Sequence, residues 1–114
     1  MVRALTVLAA VLALAALPSA ALAKTCNVQN DADSYGVTYV TSLTVKGVSC
    51  ATGKTLVRAF HKCRKAHGGI KGRCSSVNGW SCSEQRTNGP VQFSAKATCR
   101  KGGRRVVHTY TQNT

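Results

Sequence analysis

The sequence predicts an α+β fold in which one helix packs on a small antiparallel sheet and disulfides staple the layers together. Two patterns predict it. Separate segments show alternation of β-branched and polar residues, and one segment between them carries apolar residues at helical spacing. The predicted order is strand, helix, strand, strand, strand, which suits a helix laid across one face of a sheet. The six cysteines favour a disulfide framework.

Residues 1–23 are expected to be a secretory signal that is removed. Arg3 precedes an apolar run over residues 5–17, and the alanines at positions 21 and 23 supply the small side chains that a signal peptidase needs. An uncleaved membrane anchor is the alternative, since the leader approaches the length of a membrane span. Pro18 interrupts the apolar run and favours cleavage, so we expect a secreted, extracellular protein.

The segment after the leader, residues 24–35, is polar and rich in turn-forming residues. Asp31 and Asp33 have the spacing of two calcium ligands, but Tyr35 and Ser42 occupy later positions where a calcium loop needs oxygen ligands of another kind. An N-terminal turn is therefore favoured over a calcium site.

A long strand is predicted over residues 37–46, because β-branched residues alternate there and Gly47 ends the pattern. Ser49 then occupies a helix N-cap position. Residues 50–66 carry helical spacing, and the two glycines within residues 67–69 are a typical helix stop.

The remainder of the chain predicts three more strands. In order we expect a basic loop over 71–78, a short strand over 79–82, a turn over 87–90, a strand over 91–99, a hairpin loop over 101–103 and a final strand through 105–109. Among the large side chains, Phe60, Trp80 and Phe93 are assigned to the core. Tyr39 is assigned to the strand face of Leu43, and His108 to the surface of an edge-like strand.

All six cysteines lie in residues 24–114, which are expected to form a single domain. An even number of cysteines in a short exported chain predicts three disulfides, and 15 pairings are open. A zinc site is the alternative, but the chain lacks the closely spaced ligand pair typical of such sites, so we expect no metal and no cofactor. The cysteines are Cys26, Cys50, Cys63, Cys74, Cys82 and Cys99, and the zinc alternative would use Cys63, His67, Cys74 and Cys82.

The part after the leader is strongly basic. It retains 15 of the 16 Lys and Arg residues and all three acidic residues, which gives a formal net charge of +12. On the predicted helix the basic residues recur every three or four positions and form a stripe opposite the apolar side. The stripe consists of Lys54, Arg58, Lys62 and Lys65, is extended by Arg64, Lys71 and Arg73, and is joined at the hairpin by a second group of Arg100, Lys101, Arg104 and Arg105.

This uncompensated charge predicts a non-enzymatic binding module for an anionic cell-wall polymer or lipid surface. Nucleic acid is expected to bind only non-specifically, because few aromatic residues are left to stack on bases. A monomer is expected. A secreted inhibitor or toxin-like module is an alternative, in which the stapled scaffold presents the loop over residues 69–78.

A small secreted ribonuclease is the enzymatic alternative. The residues available for general acid–base chemistry are His61, His67, His108 and Glu84, with Arg86 as a cation for phosphate. No spacing motif brings any of them together, and the even number of cysteines disfavours a free thiol nucleophile. Catalytic residues are therefore not assigned.

Four segments of the chain, VSCATGK (48–54), VRAF (57–60), GWSC (79–82) and CRKGG (99–103), resemble small exported actinobacterial proteins of unassigned function. The resemblance covers most of the chain after the leader, and it implies no activity. It implies a disulfide pairing of Cys50 with Cys82, Cys63 with Cys74, and Cys26 with Cys99.

Overall fold

A computed structural model describes residues 22–29, 35–37 and 39–114. The predicted leader up to residue 21, and Asp31 and Asp33, lie outside the described residues. The elements in chain order are β1 (Lys24–Cys26), β2 (Tyr39–Lys46), α1 (Cys50–Ala66), a short 3-10 turn (Gly69–Lys71), β3 (Ser76–Val77), β4 (Trp80–Asn88), β5 (Gln92–Lys101) and β6 (Arg104–Asn113).

The α+β class is confirmed: α1 packs on one six-stranded antiparallel sheet of order β1-β2-β6-β5-β4-β3. The predicted order of four strands is incomplete, because β1 and β3 add short strands at the two edges. The strand predicted over residues 79–82 is also too short. β4 continues to Asn88. The sequence pattern did not indicate this, because the inward positions of the strand hold Glu84 and Arg86, and charged residues there conceal the alternation of a half-buried strand.

The helix follows its local signals closely. Ser49 has extended backbone angles, and its hydroxyl accepts a hydrogen bond from the Thr52 amide, as an N-cap residue does. The helix ends at Ala66, before the glycines. Its buried side includes Leu56, Val57 and Phe60, which pack on the inner face of the sheet.

A β-bulge in β2 changes which side chains face the core. The pairing of β2 with β6 shifts register between Val40 and Ser42, so Val40 and Leu43 are both buried although they are three residues apart. Tyr39 is 42% exposed, and its assignment to the face of Leu43 is wrong. The inserted residue reverses the face of the sheet to which the preceding side chains point. A prediction based on strict alternation along the strand therefore assigns those side chains to the wrong face.

Three disulfides join Cys26 to Cys50, Cys63 to Cys74, and Cys82 to Cys99. The expected pairing of Cys63 with Cys74 is confirmed, whereas Cys50 with Cys82 and Cys26 with Cys99 are wrong. Cys82 and Cys99 are directly opposite each other on neighbouring strands, with their Cα atoms 4.1 Å apart. Cys26 ends β1 beside β2, where it reaches the start of α1.

The same pairing leaves no thiols for the zinc arrangement, since Cys63, Cys74 and Cys82 are all bonded to other cysteines. None of the helices in the described part of the chain has the length and apolar character needed to cross a membrane.

Gly53 sets how closely α1 approaches the sheet. A Cβ atom at this position would lie 2.5 Å from Cγ1 of Val45 and within 4 Å of Leu43. We expect Gly53→Ala to lower the free energy of unfolding by about 1–3 kcal/mol through overpacking, although alanine favours a helix by about 1 kcal/mol. Urea unfolding monitored by circular dichroism measures the change.

Gly103→Ala is the control, because an added Cβ there meets nothing within 4 Å. Val45→Ala is itself destabilising because Val45 is buried, but in that background Gly53→Ala should cost less than it does in wild type, since the contacting methyl group is removed. A Gly53→Ala protein more stable than wild type would contradict this account of the helix–sheet contact.

The disulfide pairing is tested by digesting the unreduced, alkylated protein and identifying linked peptides by mass spectrometry. We expect links between Cys26 and Cys50, Cys63 and Cys74, and Cys82 and Cys99. A reduced sample provides the control. A peptide that joins Cys50 to Cys82 would overturn the placement of the helix start beside β1.

Candidate functional site

The sheet has an inner face, covered by α1, and an outer face that no described element covers. Because neighbouring strands are in register, outward side chains form rows that run across the strands. The outer face is polar: threonine, serine and glutamine predominate on it. One row, nearest the β5–β6 turn, is different and carries charge.

In that row Lys46 of β2 is opposite Arg105 of β6, which is opposite Arg100 of β5. We call these three residues the cation row. Directly opposed residues on antiparallel strands have Cβ atoms about 4.5–5.5 Å apart, and like charges at that spacing are destabilising. Neither arginine is buried, and Lys46 is half-buried. The row is therefore a concentrated, unbalanced charge.

A shallow depression of about 280 Å³ lies beside the cation row. Lys96 adds a further cation to its lining, and Thr44 and Thr98 contribute hydroxyl groups. A second open depression of about 390 Å³ continues along the same face, and its lining is mainly hydroxyl and amide side chains, including Thr87, Ser94 and Thr109.

The hydroxyl groups of this face are organised among themselves. Thr109 contacts both Thr41 and Ser42 through their hydroxyl oxygens, at 2.5 and 2.6 Å. Ser94 and Thr111 form a further, longer pair at 3.4 Å. A hydroxyl can donate once and accept twice, so these groups keep capacity for an incoming ligand.

No acidic side chain balances the outer face within the described ranges. Glu84 is the one acidic residue that the structure describes, and its side chain is 3% exposed. It pairs with Arg86, whose Nη2 donates to Oε1 at 2.5 Å, and it accepts a hydrogen bond from the hydroxyl of Tyr110. The described acid is therefore used inside the protein.

The basic residues predicted as a binding set do not form one surface. Arg58, Lys62 and Lys65 are exposed on α1, on the opposite side of the molecule from Arg100 and Arg105. Lys101 and Arg104 are opposite each other at the turn, and Arg104 lines a small depression of about 180 Å³ together with the three residues of the cation row. The remaining predicted residues are Lys54, which is half-buried on α1, and Lys71 and Arg73, which are exposed after it.

Arg64 is a correction to the predicted stripe, because its side chain is completely buried. It follows Phe60 by four residues and His61 by three, so it lies on the buried side of α1. Its Nε donates to Nδ1 of His61 at 3.0 Å, Nη1 to the Ile70 carbonyl at 2.5 Å, and Nη2 to Oε1 of Gln112 at 2.7 Å.

The guanidinium of Arg64 also lies over the ring of Tyr110, with Cζ 5.0 Å from the ring centroid. Burial lowers the pKa of Arg64 from its ordinary value, and the nearby Tyr110 and Glu84 oppose that shift. An arginine nonetheless stays charged in proteins. The core therefore contains a cation whose hydrogen-bond partners are all neutral.

His108 is a second correction: it is 1% exposed, and β6 is a central strand of the sheet. Its Nε2 lies 2.9 Å from Nε2 of His61, which is also fully buried. Burial, the neighbouring His108 and the positive charge of Arg64 together lower the pKa of His61 to about 2. Burial and the charge of Arg64 lower the pKa of His108 to about 3. Both rings are neutral at pH 7.

The hydrogen bonds assign the tautomers of the two rings. His61 accepts from Arg64 at Nδ1, so its proton is on Nε2. That proton is donated to Nε2 of His108, whose own proton must then be on Nδ1. Protonating His61 would require Arg64 to give up a hydrogen bond and would place two positive charges side by side.

The residues of the ribonuclease alternative are thus divided between core and surface. His61, His108 and Glu84 lie inside, while His67 is exposed at the end of α1, where its Nδ1 is 2.7 Å from the Cys63 carbonyl. The inner groups belong to two hydrogen-bonded sets: one joins His108, His61 and Arg64, and the other joins Glu84 to Arg86 and Tyr110. The first set links the helix to the sheet.

Two basic residues of the outer face, Lys46 and Lys96, are missing from the binding set that the sequence predicts. Each alternates with apolar residues and so points outward, which the sequence does indicate. Their proximity to Arg100 and Arg105 depends on strand order and register, since β2 pairs with β6 across more than half of the chain.

Comparison of the chain with protein-family models, with curated proteins and with solved structures found no match. The resemblance to small exported actinobacterial proteins stays a prediction.

The buried histidines predict loss of stability in acid. Because the folded pKa values lie below the ordinary 6.5, the unfolded chain binds more protons between pH 6.5 and about 3. The contribution of the two neutral histidines to the free energy of unfolding is fully present above pH 6.5. Below pH 6.5 it falls by up to about 1.4 kcal/mol per pH unit for each histidine. Between pH 6.5 and 5 the free energy of unfolding of wild type should therefore fall by about 3 kcal/mol more than that of the double variant His61→Gln/His108→Gln.

Urea unfolding at a series of pH values measures this difference. His67→Gln is the control and should follow wild type, because its side chain is exposed in the folded protein as well as in the unfolded chain. Parallel profiles for wild type and the double variant would show that the pair does not titrate as described.

Proposed function

We propose that this protein is a secreted, non-enzymatic module that binds acidic, hydroxyl-bearing polymers at the cell surface through the outer face of its sheet. The observation that carries the proposal is the cation row, in which Lys46, Arg105 and Arg100 oppose one another on three adjacent strands. Like charges held side by side repel one another. A bound polyanion reduces that repulsion and is attracted by all three charges of the row together.

Three features favour secretion. The predicted leader is one of them, and the strongly basic composition suits a surface rich in anionic polymers. The three disulfides are the third feature, because disulfides in a small domain are typical of extracellular proteins.

The chemistry of the outer face favours a sugar-based polyanion over other anionic partners. Its hydroxyl and amide side chains match the hydroxyl groups of a uronate or sugar–phosphate chain. Binding of single-stranded nucleic acid gains most from aromatic platforms. Phe60, Trp80 and Phe93 are buried, and Tyr39, which is 42% exposed, lies at the opposite end of β2 from Lys46. Lipid binding gains from an apolar surface that enters the bilayer. The depression beside the cation row is instead lined by four cations and two threonine hydroxyls, and its apolar residues are small: Ala23, Val45 and Val107.

Burial of His61 and His108 supports a binding role over catalysis. A general acid or base must reach the substrate proton within hydrogen-bond distance, and these two rings are 0% and 1% exposed. Cleavage of RNA by micromolar protein, abolished by His108→Gln, would contradict the non-enzymatic part of the proposal.

The test compares two triple variants that remove the same charge from opposite sides of the molecule. Lys46→Gln/Arg100→Gln/Arg105→Gln alters the cation row, and Arg58→Gln/Lys62→Gln/Lys65→Gln alters the helix. Binding to polygalacturonate and to poly(glycerol phosphate) is measured by calorimetry at several salt concentrations. We expect the first variant to weaken binding by about 3- to 150-fold, since it removes three exposed ion pairs that contribute about 0.2–1 kcal/mol each.

The salt dependence gives a second readout. Each lost phosphate contact lowers the slope of log affinity against log salt by about 0.7–0.9, so the row variant should lose about 2–3. The helix variant should retain most of the wild-type slope. Equal losses in the two variants would indicate net charge alone and overturn the outer face as the site. Tighter binding to single-stranded DNA or to anionic vesicles than to either polymer would overturn the ligand class.

A further inference from the structure

The N-terminal strand lies beside the cation row. β1 pairs with β2 so that Lys24 is opposite Val45 and Thr25 opposite Thr44. Continuing this register by one residue brings Ala23 opposite Lys46. Ala23 does line the depression beside the row, together with Lys46, Lys96, Arg100 and Arg105. The end of the predicted leader therefore lies at the proposed binding site.

We propose that removal of the leader between Ala23 and Lys24 completes this site, because the new α-ammonium group of Lys24 becomes the fourth charge of the cation row. The proposal rests on the function proposed above and on cleavage at the predicted position. A peptidase adds water across the peptide bond between these residues. Ala23 leaves with the leader as a carboxylate, and Lys24 keeps the nitrogen as a free amine that takes up a proton.

The position of the new charge is determined by the fold. The α-nitrogen of Lys24 is the atom now bonded to Ala23, so the ammonium lies at the end of the row where Ala23 lies in the uncleaved chain. Two residues later, Cys26 is buried and bonded to Cys50 at the start of α1. This disulfide holds β1 against β2, so the terminal charge is held close to Lys46.

The surroundings of the ammonium are cationic on this face. β1 pairs with β2 alone, and the charged group that β2 presents next to it is Lys46, followed across the sheet by Arg105 and Arg100. The described residues place no carboxylate on this face, since Glu84 is buried on the inner face. Among the described residues, the new charge therefore has no acidic side chain beside it. The new charge also depends on pH in a range where lysine and arginine side chains stay charged, because an α-amino group ordinarily has a pKa of about 8.

The experiment compares three forms of the secreted protein: one that begins at Lys24, the same form acetylated at its N-terminus, and one that begins at Leu22. Polygalacturonate is the probe, and affinity is measured at pH 7 and pH 9. We expect the form that begins at Lys24 to bind about three- to fivefold more tightly than the acetylated form at pH 7, the gain of one exposed ion pair. This advantage should disappear at pH 9, where the amine is mostly neutral.

The form that begins at Leu22 keeps a free amine but displaces it along the chain, so it should bind less tightly than the form that begins at Lys24. Lys62→Gln in the Lys24 form is the matched control. It removes one positive charge from the helix side and should leave the change in affinity between pH 7 and pH 9 as it is. Disulfide mapping confirms that all forms carry the same three links.

The outcomes separate this inference from the function on which it rests. If all three forms bind equally and the Lys46, Arg100 and Arg105 triple variant still loses affinity, the terminal charge plays no part and the inference is wrong. If the triple variant binds as wild type does, the proposed function itself is wrong. An equal dependence on pH in the free and acetylated forms would also overturn the inference, because the titrating group would then lie elsewhere.

Discussion

The structure depends on satisfying one buried cation. Placing a guanidinium in a protein core is costly unless each of its donors finds a partner, and Arg64 obtains these partners from separate parts of the chain: His61 on its own helix, the Ile70 carbonyl after it, and Gln112 on the last strand. The bonds to Ile70 and Gln112 tie α1 to other parts of the fold. The inner face of β6 therefore carries His108, Tyr110 and Gln112 where an ordinary sheet would carry aliphatic residues.

This arrangement also explains how charge is divided between inside and outside. Glu84 is held in the core by Arg86 and Tyr110, and the solvent-facing cation near it is Arg73, at 3.8 Å, which is not part of the cation row. Burial and hydrogen bonding to Glu84 both raise the pKa of Tyr110, which keeps its hydroxyl protonated as a donor. Among the described residues, the one acidic side chain thus serves the polar interior, and the cation row has no acidic side chain opposite it.

Local signals predict the parts of the fold that depend on local chemistry. Ser49 and the glycines after Ala66 mark the helix ends correctly, and the glycine pair at residues 102 and 103 marks the β5–β6 turn. The errors concern long-range contacts. Arg64 and His108 look like surface residues until their partners are known. The residues alone leave all disulfide pairings open, and two of the three that the resemblance implies are wrong, because strand order determines which cysteines meet. The cation row could not be predicted either, since it exists only once β2 lies beside β6.

The sheet is finished at both sides by very short strands, three residues in β1 and two in β3. These short strands cover only part of the longer strands beside them. β3 pairs with β4 at Trp80 and Ser81 alone, so among the described strands the edge of β4 from Ser83 to Asn88 has no partner. A free edge exposes backbone donors and acceptors that can pair with another copy of the chain. Crowding many copies along one polymer would therefore bring free edges together as well as charges.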